Sequence, residues 1–275
     1  MGKKSIIINQ KFSGLINKQE LNYREKIQPK EQEFNNISKW ISRVDDGRRN
    51  ILPILYRFVD FKGKILELGA GSCWFGSELS CLKNVNKVYC LEMSKFILTK
   101  VSPHIMLHLN ANLNKIVRVI GDFHKLDFPD NTFDYVVFDA SMHHIPEASF
   151  YNVFNEVKRV LKKNGCVIAI REPTLIPIPI LNRKQKKAFG LHEKQYGVTE
   201  NLFSRLKWSK LFKKAGFRCM FIPYGFRIGK KVTLKNIVKR MIYSSPFRNF
   251  FLYLRNYHCL FILSRMNADY ISFKR

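Results

Sequence analysis

The stretch KILELGAGSCWFG, residues 64–76, constrains the fold of this chain more than any other. Ile65, Leu66 and Leu68 form an apolar run as long as a buried strand, and it breaks at once into Gly69, Ala70 and Gly71. Glycine removes side chains where a chain must turn back sharply or let a ligand approach its backbone. A strand entering such a loop, followed by a helix, predicts a binding loop at the strand's carboxyl end.

The pattern continues along the chain. Strands are expected at 64–68, 87–91, 116–120, 133–140 and 166–172, with helices at about 74–82, 94–107 and 147–162, and two further strands at 217–223 and 258–264. Apolar residues at helical spacing (Ile37, Ile41, Val44, then Ile51, Leu52, Leu55) predict two helices before the first strand. This alternation predicts an α/β fold with a doubly wound, seven-stranded, mostly parallel sheet. Residues 1–60 read as an N-terminal helical cap and 61–275 as the main domain. The expected insertions are at about 173–198, which carries prolines and a basic run, and a basic one at about 224–256.

Charge is unevenly spread. The net formal charge is +27, and residues 181–275 hold 22 Lys/Arg against 3 Asp/Glu. Such a surface attracts anions: nucleic acid, phospholipid headgroups or a phosphorylated substrate. The six cysteines include no Cys-x-x-Cys pair, which predicts reduced core thiols and no metal site. The three N-terminal isoleucines are too short for a signal-peptide core, and Arg248, Arg255 and His258 interrupt the late apolar segment, so a cytoplasmic location is expected, peripheral at the inner membrane face.

The glycine loop departs from the dinucleotide pattern Gly-x-Gly-x-x-Gly, because Trp74 stands at its third glycine. Glu92 ends the second strand, where a carboxylate reaches ribose hydroxyls in mononucleotide and dinucleotide sites alike. Glu67, Glu92, Asp122 and Asp139 put an acid at the end of each of four strands. This suits a cationic, phosphate-free nucleoside better than a pyrophosphate.

These residues resemble the class I S-adenosylmethionine-dependent methyltransferases, a Rossmann-like family. ELGAGSC resembles the family's glycine motif, CLEMS its ribose-binding strand end, GDFHKLDFPDNTFDYVVFDASMHHI its adenine loop and fourth strand, and EVKRVLKKNGCVIAIREP its next helix and strand. The resemblance covers about residues 60–223, with Cys73 at the motif's third glycine. It implies S-adenosyl-L-methionine as cofactor. Its methionine part would lie on Glu67, Gly69, Ala70 and Gly71, its ribose on Glu92 beside Met93, and its adenine on Asp122 and Phe123, with Asp139 bordering the methyl group.

Methyl transfer needs an aligned nucleophile and, for a hydroxyl acceptor, a base. His143 and His144 are the candidate catalytic residues, and Arg171, Glu172, His192 and Tyr196 the candidate acceptor contacts. The REP strand end and the proline-rich insertion resemble methyltransferases of bacterial surface-polysaccharide synthesis. That implies an anionic small-molecule or glycan acceptor, such as a lipid-linked sugar phosphate, and peripheral contact with an anionic membrane. RNA methylation ranks second, for want of an Asn/Asp-Pro-Pro-Tyr/Phe motif. A non-catalytic membrane-surface protein on the same fold ranks third.

Overall fold

The computed structural model describes residues 5–14, 17–28, 37–223, 241 and 258–266. The insertion expected at about 224–256 falls almost entirely outside them. Among the described residues eight strands form one sheet: β1 (Ile6–Asn9), β2 (Gly63–Leu68), β3 (Val85–Glu92), β4 (Ile116–Ile120), β5 (Phe133–Asp139), β6 (Leu161–Pro173), β7 (Phe217–Pro223) and β8 (His258–Arg265). Their order is β1-β4-β3-β2-β5-β6-β8-β7. β8 runs antiparallel to both its neighbours, and the other pairings are parallel.

The eighth strand corrects the expected seven. β1 is the isoleucine run, and it extends the sheet beyond β4 with Ile6 opposite Val117 and Ile8 opposite Val119. The three isoleucines stay exposed on this edge strand.

Among the described residues the α-helices are α1 (Lys18–Asn22), α2 (Ile37–Phe58), α3 (Trp74–Ser80), α4 (Ser102–His108), α5 (Phe150–Val160), α6 (Pro179–Ala188), α7 (Leu191–Lys194) and α8 (Arg205–Lys214). Two N-terminal helices were expected where α2 is one, with Pro53 inside it. Proline costs an internal hydrogen bond, but Val44, Ile51, Leu52 and Leu55 form one buried stripe across the break. Gly47 lets α2 lie against α3, since a Cβ there would stand 3.1 Å from the Trp74 ring.

Two apolar layers sandwich the sheet. Ile65, Val88, Ile168 and Ile170 face α2, α3 and α4, while Leu66, Leu68, Val136 and Ala169 face α5 and α8. The alternation puts Glu67 on the α3 side with Ile65. No helix among the described residues is long and apolar enough to cross a membrane.

Gly76 permits the close approach of α3 to the sheet, because an added Cβ would enter the space of Cys90 Sγ and Glu67 Oε2. Gly76→Ala is expected to cost about 1–3 kcal/mol by overpacking, measurable by urea denaturation; an unchanged midpoint would show that α3 can shift freely.

Candidate active site

A cleft of about 340 Å³ opens at the carboxyl ends of β2, β3, β4 and β5. Its floor includes Gly69, Ala70, Gly71, Glu92, Met93, Asp122, Phe123 and Asp139, so most of the expected cofactor residues meet at one place. Leu91, Ile97 and Phe123 supply apolar wall. Gly71 adopts φ +49°, and a Cβ added there would meet nothing within 4 Å: the loop's backbone is bare to the cleft.

The carboxylates at the strand ends differ in what they hold. Glu92 Oε2 accepts from Gly71 N at 2.9 Å and Oε1 from Ser94 N at 3.0 Å, which locks the glycine loop to β3. Asp122 accepts from Ser13 N and Oγ and from His124 N and Nδ1. Burial raises its pKa, but these hydrogen bonds outweigh burial and hold it below the ordinary value. Oδ1 takes three of these donors and Oδ2 takes Ser13 N alone. Asp122 therefore ties the segment after β1 to the sheet.

Asp139 accepts from Arg171 Nε at 2.6 Å, from Arg171 Nη2 and from the Trp74 indole. The Arg171 guanidinium lies 5.3 Å from the Trp74 ring centre. Arg171 has φ +58°, and the β6–β8 register shifts between Ala169 and Glu172. A bulge at a left-handed, non-glycine residue re-aims its side chain, and here Arg171 lines the cleft.

Five expected site residues do not line the cleft. Glu67 does not line the cleft; it is fully buried and accepts from Gly76 N at 3.0 Å, because strand alternation turns it under α3. Burial, then the neighbouring Asp139, pushes its pKa up to about 8. Glu172, placed as an acceptor contact, is also fully buried. It accepts from the backbone N–H groups of Ser141, Met142 and His143, fixing the turn after β5, while burial raises its pKa to about 7. His143 faces away from the cleft, its Nδ1 2.8 Å from Glu172. His192 and Tyr196 do not line the cleft either: Tyr196 stacks on Tyr23 at 5.0 Å and His192 meets Tyr23 edge-on, docking the N-terminal segment onto the insertion.

His144 does line the cleft. Its Nδ1 lies 2.8 Å from Thr199 O, a carbonyl that can only accept, so Nδ1 carries the proton and Nε2 faces Arg24 Nη2 at 3.2 Å as an acceptor. Enclosure, then His143 and Arg24, drives its pKa well below the ordinary value, which keeps it neutral. His143, His144 and Glu200 bring ligand atoms within 4.8 Å of one another, a grouping the sequence reading did not anticipate. Both His144 nitrogens are engaged, however, and the Arg24 cation stands beside the group.

Sequence reasoning also missed Glu20, Arg24 and Arg43 as cleft residues. A five-residue π-turn, Tyr23–Ile27, brings Arg24 over the cleft, and no local motif announces it. Trp74 did leave a signal, as a bulky aromatic inside a glycine-rich loop. Cys73 packs in the core at φ +57°, so the residue at the motif's third glycine keeps the left-handed backbone while its side chain points away from the cleft.

Residues 66–169 match the family model described as a methyltransferase domain. The chain carries a methyltransferase domain. It works as an S-adenosylmethionine-dependent methyltransferase. The chain is 24% identical over 218 residues to the demethylmenaquinone methyltransferase of Geobacillus stearothermophilus, covering 71% of this chain and 91% of that one. With the enzyme of the same name from Geobacillus sp. (strain WCH70), identity is 26% over 169 residues, 56% and 70% of the two chains. Among solved structures, the DhpI–SAH complex aligns with TM-score 0.57 at 15% identity over 91% of this chain and 97% of that one. The PH0226 protein of Pyrococcus horikoshii OT3 aligns with TM-score 0.55 at 21% identity, 89% and 95%. Both share the fold of this methyltransferase.

A buried acid with a raised pKa stabilises the fold fully below its ordinary pKa and loses that contribution as pH rises through the folded value. For Glu67 this window runs from 4.5 to about 8. Glu67→Gln is therefore expected to melt closer to its own low-pH value at pH 8 than the parent does; parallel melting profiles would show that Glu67 titrates normally.

Proposed function

We propose that this methyltransferase holds S-adenosylmethionine along the glycine loop and transfers its methyl group to an anionic small-molecule acceptor. The residues present fit the cofactor: a bare glycine backbone, the Glu92 carboxylate within the cleft and the apolar walls Ile97 and Phe123. Glu92 keeps acceptor capacity for ribose hydroxyls beyond its two backbone donors, since each carboxylate oxygen accepts about two bonds. Gly69 to Gly71 would face the methionine part, and Phe123 with Ile97 the adenine. Asp122 contributes by fixing the segment around Ser13 as a wall. The bound cofactor supplies an electrophilic methyl carbon, and the chain's task is to align the nucleophile with it and exclude water.

The observation that carries the acceptor class is the cation set on the cleft wall. Arg24, Arg43 and Arg171 all line it, beside Trp40 and Trp74. Arg171 is clamped by Asp139 against Trp74, and Arg43, exposed at the mouth, rests on the Trp40 ring at 5.7 Å. Guanidinium groups with aromatic walls favour a flat or apolar acceptor bearing a carboxylate, phosphate or ionised hydroxyl. The relatives named for demethylmenaquinone support a small-molecule acceptor, and a sugar phosphate or other anionic glycan unit fits the same charge. His144, with its proton on Nδ1, offers Nε2 as a hydrogen-bond acceptor that orients a substrate hydroxyl once Arg24 turns to the substrate. His143 and Glu172 position it.

Two measurements test this reading. Glu92→Ala is expected to weaken S-adenosylhomocysteine binding about a hundredfold in calorimetry, the loss of two hydrogen bonds to a charged group; unchanged affinity would remove Glu92 from the site. In a screen of paired acceptors with and without an acidic group, Arg43→Gln is expected to lower kcat/KM about tenfold for the anionic members only, with S-adenosylhomocysteine affinity held. An equal loss for neutral acceptors would overturn the anionic assignment.

A further inference from the structure

We propose that α6, with the chain leading into α7 and α8, is a docking surface for an anionic lipid bilayer. α6 buries none of its ten residues, which is unusual for a helix in a folded domain. It carries Arg183, Lys184, Lys186 and Lys187 and no acid. α8 adds Lys210, Lys213 and Lys214 at exposed positions, also with no acid in the helix.

Charge alone would suit RNA equally well. The apolar residues of this surface discriminate: Ile180 is 73% exposed, Leu191 63% and Leu206 75%. Single-stranded nucleic acid is bound on aromatic platforms, whereas aliphatic side chains among lysines insert at the headgroup boundary of a membrane. The three aliphatics belong to one region of the fold. Gln185 on α6 bonds Ile176 N and Thr174 O at the end of β6, Thr174 bridges Phe203, and Leu206 follows three residues on. Gly190 turns α6 into α7, and the same insertion reaches His144 on the cleft wall through Thr199. Docking by this surface thus places the cleft next to the bilayer, where an amphipathic anionic acceptor would reside.

The test is co-sedimentation of the full chain with vesicles of equimolar phosphatidylglycerol and phosphatidylcholine, against phosphatidylcholine alone. Binding to the anionic vesicles only is expected. Lys184→Gln/Lys186→Gln/Lys187→Gln should lower partitioning about a hundredfold, given the usual contribution of each basic residue near an anionic surface. Ile180→Ser/Leu191→Ser should lower it further at high salt, where the aliphatic part remains. All five positions are exposed, and circular dichroism checks that the variants fold. Equal binding to neutral vesicles, or unaltered partitioning by the lysine variant, would overturn the assignment of this surface. So would competition by short RNA that the serine variant leaves unchanged. The readout needs neither cofactor nor turnover, so its failure is separate from failure of the methyl-transfer reading.

Discussion

Five carboxylates are buried side by side at the carboxyl edge of five neighbouring strands: Asp122, Glu92, Glu67, Asp139 and Glu172, in the order β4-β3-β2-β5-β6. A buried charge is costly unless it is paired or neutralised, so the surrounding structure is arranged to answer each one. Backbone N–H groups of the glycine loop and of the turn after β5 go to Glu92 and Glu172. A side-chain cation goes to Asp139, a distant N-terminal serine to Asp122, and Glu67 is pushed toward its neutral form. The cleft is what remains where those answers leave the backbone bare.

This arrangement links the outer elements to the site. The segment after β1 is held through Ser13, α1 and its π-turn through Arg24, and the insertion through Thr199. Tyr23 on Tyr196 and Asn17 on Gly197 O close the contact between the first and the later element. The N-terminal segment that lines the cleft with Glu20, Arg24 and Gln28 is thus held by a contact with chain 180 residues away, whose loop-closure cost is recovered only in the folded state.

Much of the fold was legible from local pattern. The period-two and period-3.6 runs predicted the strands from β2 onward and most helices, and Gly69, Gly71, Glu92 and Asp122 meet in one cleft as expected. Errors arose where a residue's role depends on a side-chain direction set by its partners. Glu67 and Glu172 looked like ligand-facing acids because they sit in the right places along the chain. The face they turn to is fixed by alternation for Glu67, and by the turn of N–H groups packed above for Glu172. β1 was missed because four residues hold no periodicity until β4 offers an edge.

By itself the sequence determined the parallel α/β architecture, the bare loop after β2 and the row of strand-end acids, since these follow from apolar spacing and from glycine's freedom, both local properties. Only the tertiary structure decided which acids face the cleft, which histidine does, and that Arg24, Arg43 and Arg171 converge beside two tryptophans. Those are relations between residues far apart in the chain. They depend on helix packing, a bulge at Arg171 and a π-turn at Tyr23, and none of these has a signature shorter than the fold that creates it.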